Sequence, residues 1–195
     1  MPSYLAVYED TSPFFTYTEN WRAGTSSNDG SADRYSESSF AVTETPGASF
    51  SFKFYGTEVS IFGAKRGNHG LYQATLDSMT SEGTGLSTGS EQFQTPLLSQ
   101  TVQKGMHNVT ITNKENKYLD IDFVSWKASV GHDDEPLIVN TWQASHPAFV
   151  YAPADAWTTN PPSVSNFIGE TGHASSNVGA SVQLNFQGLQ RSLQK

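Results

Sequence analysis

Apolar and polar residues alternate with a period of two along most of the chain, and long segments with the 3.6-residue helical period are missing. The clearest alternation spans residues 48–54, where Phe50, Phe52 and Phe54 are separated by Ser and Lys. Successive side chains of a strand point to opposite faces, so this pattern predicts an antiparallel strand with one face in a core. The sequence therefore predicts an all-β protein made of short strands.

Further strands are predicted at short intervals. The predicted strands are 48–54, 58–63, 71–77, 97–102, 106–112 and 118–126. Turns are expected at 56–57 and 104–105, a Gly-rich loop at 64–70, and a long surface loop at 78–90, which is rich in Ser, Thr and Gly. Together with the N-terminal segment, about eight strands suit a two-sheet β-sandwich over residues 1–128.

The C-terminal part of the chain resembles the beginning of the first domain. A linker is predicted over 129–140, followed by a partial repeat over 141–195. The matching pairs are 13–17 with 147–151, Trp21 with Trp157, and 47–56 with 179–188. Half a sandwich leaves sheet edges and an apolar face unfilled, so three interpretations stay open: a truncated product, an extension packed on the first domain, or completion by strand exchange with another chain.

Composition excludes several classes of protein. Eleven Lys and Arg face nineteen Asp and Glu among 195 residues, giving a net charge of -8, so binding to a nucleic-acid backbone is unfavourable. The apolar runs are far shorter than the ~20 residues of a membrane-spanning helix, and the N-terminus lacks the pattern of a signal peptide. The absence of Cys excludes disulfides and thiolate-bound metals.

Several motifs together resemble a known family. They are Asp-Thr-Ser-Pro at 10–13, the Phe-rich strand with flanking glycines at 47–56, Val-Ser-Ile-Phe-Gly at 59–63, Leu-Tyr-Gln-Ala-Thr-Leu-Asp at 71–77, His-Asn-Val-Thr-Ile-Thr-Asn at 107–113 and Leu-Asp-Ile-Asp-Phe-Val at 119–124. Over residues 4–127, with a half copy at 137–188, the chain resembles the galactose-binding-like jelly-roll ectodomains of fungal secreted and surface proteins. These ectodomains are similar to carbohydrate-binding modules. The resemblance implies a jelly-roll sandwich and says less about the ligand.

The resemblance also implies a structural calcium ion, because related jelly-roll modules often carry one between the first strand region and the last strand. The candidate ligands here are Glu9, Asp10 and Asp122, since carboxylate and carbonyl oxygens suit Ca²⁺. The alternative is that Asp120 and Asp122 are polar residues on a solvent-facing side of their strand, and that Glu9 and Asp10 form a turn.

Sugar recognition needs an aromatic face for the C–H side of a pyranose and polar groups for its hydroxyls. The loop at 65–70 and the segment around Trp21 and Arg22 offer this mixture, with the Gly residues allowing close backbone approach. The candidate ligand-binding residues are Trp21, Tyr35, Arg66, Asn68, His69 and Tyr72. The alternatives are that Trp21 belongs to the core, since it recurs as Trp157, and that 65–70 is only a hairpin loop.

Support for catalysis is weaker. No Gly-x-Ser-x-Gly or His-Glu-x-x-His motif is present. Asp120 and Asp122, about 7 Å apart on one strand, match the spacing of glycosidase acids, but such pairs are more often structural. The histidines, at 69, 107, 132, 146 and 173, lack metal-ligand spacing. One sequon, at Asn108, would be glycosylated only if the chain enters the secretory pathway.

The leading hypothesis is a non-catalytic glycan-binding module that is secreted or displayed at the cell surface, with avidity from tandem copies. One alternative is a structural ectodomain whose partial repeat mediates homo-oligomer or protein–protein contacts. Another is the ancillary domain of a carbohydrate-active enzyme whose catalytic part lies outside this sequence.

Overall fold

The computed structural model describes residues 2–129 and 141–185. The chain divides into two compact units, residues 1–134 and 135–195. The predicted linker at 129–140 lies outside the described residues except for Ser129, which ends a strand. Within the described residues, no helix is long and apolar enough to cross a membrane.

The described part of the first unit consists of strands and two short 3₁₀ turns, Ala32–Arg34 and Ser36–Ser38. Its strands are β1 (Ser3–Glu9), β2 (Thr16–Tyr17), β3 (Arg22–Gly24), β4 (Phe40–Thr43), β5 (Ser49–Lys65), β6 (Leu71–Leu76), β7 (Met79–Thr84), β8 (Gln92–Asn113), β9 (Leu119–Ile121) and β10 (Phe123–Ser129). All their pairings are antiparallel, so the predicted all-β antiparallel sandwich is confirmed.

The strands form two sheets. The large sheet has the order β1-β10-β5-β8-β6-β7, with β2 also pairing with β5, and the small sheet has the order β3-β4-β9. Strands β5 and β8 make one long antiparallel pair from Ser49↔Thr112 to Lys65↔Gln92. The hairpin of β6 and β7, which lies between them in the chain, pairs with the far edge of β8. Strand β9 therefore belongs to the small sheet, and β10, which follows it after one residue, to the large one.

The core lies on the inner face of the large sheet. Phe50, Phe52 and Phe54 are buried, with Phe50 0% exposed, which confirms the orientation that the alternation predicts. They share one cluster with Ile111 and Ile121, among others. Each fully buried side chain of this size contributes roughly 1.5–3 kcal/mol relative to its exposed state. This cluster stabilises the scaffold on which the loops are held.

The turns predicted at 56–57 and 104–105 are wrong. Strands β5 and β8 run through both positions, and Gly56 is paired directly with Gly105. A Cβ atom at Gly56 would collide with the backbone oxygen of Lys127 on β10. The glycine therefore marks a close approach of two backbones within the sheet rather than a chain reversal.

The surface loop predicted at 78–90 is partly wrong, because residues 79–84 form strand β7. Asp77, with φ of 53°, makes the tight turn that brings β7 against β6. No residue of β7 is buried, since the strand lies at the edge of the sheet. An exposed edge strand needs no apolar alternation, so its composition resembles that of a loop.

In its described residues, 141–185, the second unit contains β11 (Phe149–Ala152) paired antiparallel with β12 (Ser181–Leu184), and three 3₁₀ turns, Ala154–Ala156, Val164–Asn166 and Ile168–Glu170. Tyr151 pairs with Val182, as Tyr17 pairs with Phe50 in the first unit. The predicted repeat aligns these same positions. Its end, residues 186–188, lies outside the described residues.

Candidate functional site

A polar cleft of about 170 Å³ opens on the small sheet of the first unit. Four segments form its rim: β3, the turn after it, the loop between β5 and β6, and the residue before β9. The polar side chains at the rim are Arg22, Asn28, Asp29, Arg66, Asn68 and Tyr118. Phe40 and Val42 of β4 supply apolar surface inside the cleft.

A buried carboxylate holds the floor of the cleft together. Oδ2 of Asp120 accepts a hydrogen bond from the Tyr35 hydroxyl at 2.6 Å and lies 2.7 Å from Nε2 of His69. Its Oδ1 accepts the backbone N–H of Ala64 at 2.6 Å. His69 is 2% exposed, and its other ring nitrogen, Nδ1, lies 2.8 Å from Oδ1 of Asn68. A buried carboxylate with three partners is fully satisfied, so this network fixes the positions of the rim residues above it.

The loop between β5 and β6 is anchored at both ends. Arg66 bridges to Leu86, and His69 bridges to Tyr118. The backbone N–H of Tyr118 donates to the carbonyl of Asn68 at 3.2 Å, and that of Gly70 to the carbonyl of Tyr118 at 3.2 Å. The side chains of this loop are thus presented from a rigid backbone, which lowers the entropy lost when a ligand is bound.

Arg66 forms ion pairs with two carboxylates. Its guanidinium lies 2.6 Å from Asp29 and 3.0 Å from Glu91. Partial burial would raise the pKa of Asp29, but the Arg66 guanidinium and the N–H of Ser31 lower it below its ordinary value. Asp29 is therefore an ionised acceptor at the rim at neutral pH, while Arg66 mainly positions it.

Arg22 and Tyr118 form the open side of the rim. The Arg22 guanidinium carbon lies 5.9 Å from the centre of the Tyr118 ring, which is half-buried, and Arg22 itself is exposed. The cleft thus combines an aromatic ring, a cationic donor, an anionic acceptor and the amide of Asn68. These groups can hydrogen-bond the hydroxyls of a polyol while the ring contacts its C–H face.

The structure brings three of the predicted ligand-binding residues, Arg66, Asn68 and His69, together at the cleft. Tyr35 lies beneath it, stacked on Phe40 with ring centres 3.9 Å apart. Tyr72 is 3% exposed and lies in the core, where its hydroxyl donates to the carbonyl of Leu97.

Trp21 lies outside the cleft lining. It packs on the main core cluster and contacts Tyr17 with ring centres 5.1 Å apart. Sequence reasoning missed Asn28, Asp29, Tyr118 and Asp120 as members of the cleft. The Asn-Asp-Gly sequence at 28–30 predicts a turn that could have indicated the first two, but the contact of Asp120 with His69 bridges 51 positions and leaves no local signal.

The predicted calcium ligands also lie close together. The backbone N–H of Asp10 donates to the carbonyl of Asp122, and Ser36 donates its N–H to Oδ1 of Asp122 and its hydroxyl to Oε1 of Glu9. Asp122 is 0% exposed and Asp120 is buried as well, so the alternative that they lie on a solvent-facing side is wrong. The chain crosses between the two sheets here, so both faces are covered.

Two carboxylate oxygens in this cluster are buried without a hydrogen-bond partner, Oε2 of Glu9 and Oδ2 of Asp122. Burial raises the pKa of Asp122 to about 8, and the neighbouring charges of Glu9, Asp120 and Asp10 act in the same direction. The hydrogen bond from the Ser36 N–H lowers this pKa but does not offset the rise. Hard oxygens of this kind fit a calcium ion. Over residues 2–129 and 141–185, however, no three Asp, Glu, His or Cys side chains are grouped closely enough to hold a metal. Backbone carbonyls would have to complete the coordination.

No protein-family model and no curated protein matches the chain. A two-domain esterase active on acetylated mannans is similar in structure, with 10% identity, a TM-score of 0.50, and coverage of 66% of this chain and 37% of that one. A family two carbohydrate esterase from Cellvibrio japonicus has 11% identity and a TM-score of 0.45, with coverage of 66% of this chain and 35% of the esterase. CBM35 from Cellvibrio japonicus Abf62 has 13% identity and a TM-score of 0.46, with coverage of 61% of this chain and 90% of that module. The chain therefore spans about a third of these esterases, and the first likeness shows a shared fold.

Proposed function

We propose that the first unit is a non-catalytic glycan-binding module of a secreted or cell-surface protein, which recognises cell-wall or extracellular carbohydrate in the cleft of the small sheet. The observation that carries the proposal is the cleft itself. Arg22, Asp29, Asn68 and Tyr118 converge there on a floor fixed by buried Asp120.

The dimensions of the cleft favour a small binding unit. About 170 Å³ is below the roughly 300–1,000 Å³ of pockets for drug-sized ligands, so the cleft suits one or two sugar rings. Carboxylate, amide and guanidinium groups would bind hydroxyls, and the Tyr118 ring would cover a C–H face. Because the contacts are few and the rim is hydrated, we expect weak affinity at a single site.

The described part of the second unit differs from the first at one position of the rim. Thr158 follows Trp157 where Arg22 follows Trp21, and Thr158 bridges to Ala174 as Arg22 pairs with Val42. The cationic donor of the cleft thus has no counterpart at that position. We therefore expect a site of this composition in the first unit only, and the tandem avidity suggested by the repeat stays a prediction.

We further propose a structural calcium ion at Glu9 and Asp122, the two residues with unpaired buried oxygens. Asp10, whose Oδ1 accepts a hydrogen bond from Ser39, has no fully buried oxygen without a partner, so it contributes less than the sequence suggests. When bound, calcium would neutralise the buried charges. A test is thermal unfolding in Ca²⁺ and in EDTA, for the native chain and for Asp122→Asn. The expected result is stabilisation of the native chain alone; equal melting in both conditions contradicts the proposal.

The function is tested by screening the full chain against wall polysaccharides and an oligosaccharide array. Binding of one glycan class is expected, and Arg22→Ala should weaken it at least about tenfold, as expected when a charged contact worth more than 1.4 kcal/mol is lost. Lys127→Ala is the control, since this exposed lysine of β10 belongs to the large sheet and lies outside the cleft lining. No binding to any glycan contradicts the function. Equal loss in both variants contradicts the site.

A further inference from the structure

A second groove lies on the outer face of the large sheet, away from the core. It has a volume of about 480 Å³ and is lined by Phe14, Thr16, Ser51, Lys53, Asn108 and Thr110, among others. The register places Thr16 beside Ser51, Ser51 beside Thr110, and Lys53 beside Asn108. Asn108 therefore projects from β8 on the same face as these polar residues, while Val109 between them points to the core.

Asn108 is the acceptor of the sequence Asn108-Val109-Thr110, the only Asn-x-Ser/Thr sequence without Pro at the middle position in the 195 residues. Its side chain is exposed. Its backbone N–H is held by Oδ1 of Asp77 at 2.9 Å, so its position on the strand is fixed. A glycan on this side chain would extend into solvent without displacing any core residue.

Phe14 adds an exposed aromatic ring to the groove. Its ring is 60% exposed, and it is held by an edge contact with Tyr8, with ring centres 5.0 Å apart. The edge contact with Tyr8 leaves most of the Phe14 ring exposed beside Ser, Thr and Asn side chains of the groove. The C–H face of a sugar is a suitable partner, because it buries apolar area on the ring and leaves the hydroxyls in water.

We infer that Asn108 is an N-glycosylation site and that the first N-acetylglucosamine of its glycan packs on Phe14 in this groove. The modification joins C1 of the sugar to the Asn108 amide nitrogen. The transferred oligosaccharide leaves its lipid diphosphate donor, and the amide loses one proton. The inference rests on the extracellular location in the proposed function. It also implies that this face is covered and leaves the cleft of the small sheet as the glycan-binding surface.

The test is expression of the full chain behind a cleavable secretion signal in a yeast. Intact mass and peptide mapping should show a glycan on Asn108 of the native sequence and none on Thr110→Ala, which removes the sequon but keeps Asn108. An unmodified Asn108 in the secreted native chain overturns the site. Bacterially produced chain, which lacks the glycan, still tests the cleft, so the two proposals fail independently.

The packing on Phe14 is tested after an endoglycosidase trims the glycan to one N-acetylglucosamine. The trimmed native chain should melt about 2–4 °C above the bacterially produced native chain, which has the same sequence without the sugar; a gain of about 1 kcal/mol gives a shift of this size. In a Phe14→Ser background, the same comparison should show no shift. A shift of equal size with and without Phe14, or no shift with Phe14 present, overturns the packing.

Discussion

The hydroxyl of Tyr35 offers the sharpest test of how the cleft is built. It donates to Oδ2 of Asp120 at 2.6 Å, and the ring stacks on Phe40 in the interior. Burial and the neighbouring Asp120 carboxylate raise the pKa of Tyr35, so its hydroxyl keeps its proton and is a donor at neutral pH. The substitution Tyr35→Phe preserves the ring and its packing and removes only this donor.

The expected loss follows from the kind of acceptor. A hydrogen bond to a charged group contributes about 1.5–3 kcal/mol, against about 0.5–1.5 kcal/mol for one to a neutral carbonyl. Tyr72 is the matched control, because its buried hydroxyl donates to the neutral carbonyl of Leu97 at 2.7 Å. At about 4 °C per kcal/mol for a unit of this size, Tyr35→Phe should lower Tm by about 6–12 °C and Tyr72→Phe by about 2–6 °C.

The measurement is thermal unfolding followed by circular dichroism, with urea unfolding of both variants to obtain the free energies. Tyr35→Phe should also weaken glycan binding, because Asp120 and His69 lose part of their support, whereas Tyr72→Phe should leave affinity unchanged. If Tyr35→Phe costs no more stability than Tyr72→Phe, Asp120 is not the organising group of the cleft floor.

Two further predictions concern other parts of the first unit. In Gly24→Ala, the new Cβ would collide with the ring of Phe40, so we expect lower stability and weaker glycan binding. The control is Gly30→Ala, where a Cβ meets no atom within 4 Å. Equal stability and affinity of the two variants would contradict the packing of Gly24 on Phe40. His107 donates to Asp77 at 2.7 Å, and this hydrogen bond raises the pKa of His107 against the opposing effect of burial. Its stabilisation is therefore complete below the ordinary pKa of about 6.5 and is lost as pH rises through the raised value. His107→Gln should flatten the pH dependence of Tm above the ordinary histidine pKa of about 6.5. An unchanged profile would show that the pair does not contribute.

The sequence predicts the large sheet well where burial alternates. Phe50, Phe52 and Phe54 identify an inner face because each is separated by a polar residue, and the structure confirms it. The sequence predicts the roles of glycines and the positions of edge strands less well. Gly56 looks like a turn residue although it serves a close backbone approach, and β7 looks like a loop because no side chain of the strand is buried.

The candidate site is predicted in part, because its residues come from distant segments. The loop at 65–70 is recognisable from its glycines and polar residues, and it does line the cleft. Tyrosine is common both in sugar-binding surfaces and in cores, so the sequence does not distinguish the two roles for Tyr35 and Tyr72. Only the three-dimensional packing shows that both rings are buried. Asp120 becomes a floor residue only because β9 passes beneath His69 and Tyr35.

Backbone amide NMR of the full chain, titrated with a glycan selected from the array, shows whether the glycan binds in the cleft of the small sheet. Saturable shift changes confined to the amides around Arg22, Asp29, Asn68 and Tyr118 are the predicted result. Changes centred instead on Thr16, Ser51 and Thr110 would place the ligand on the outer face of the large sheet and contradict binding in the cleft.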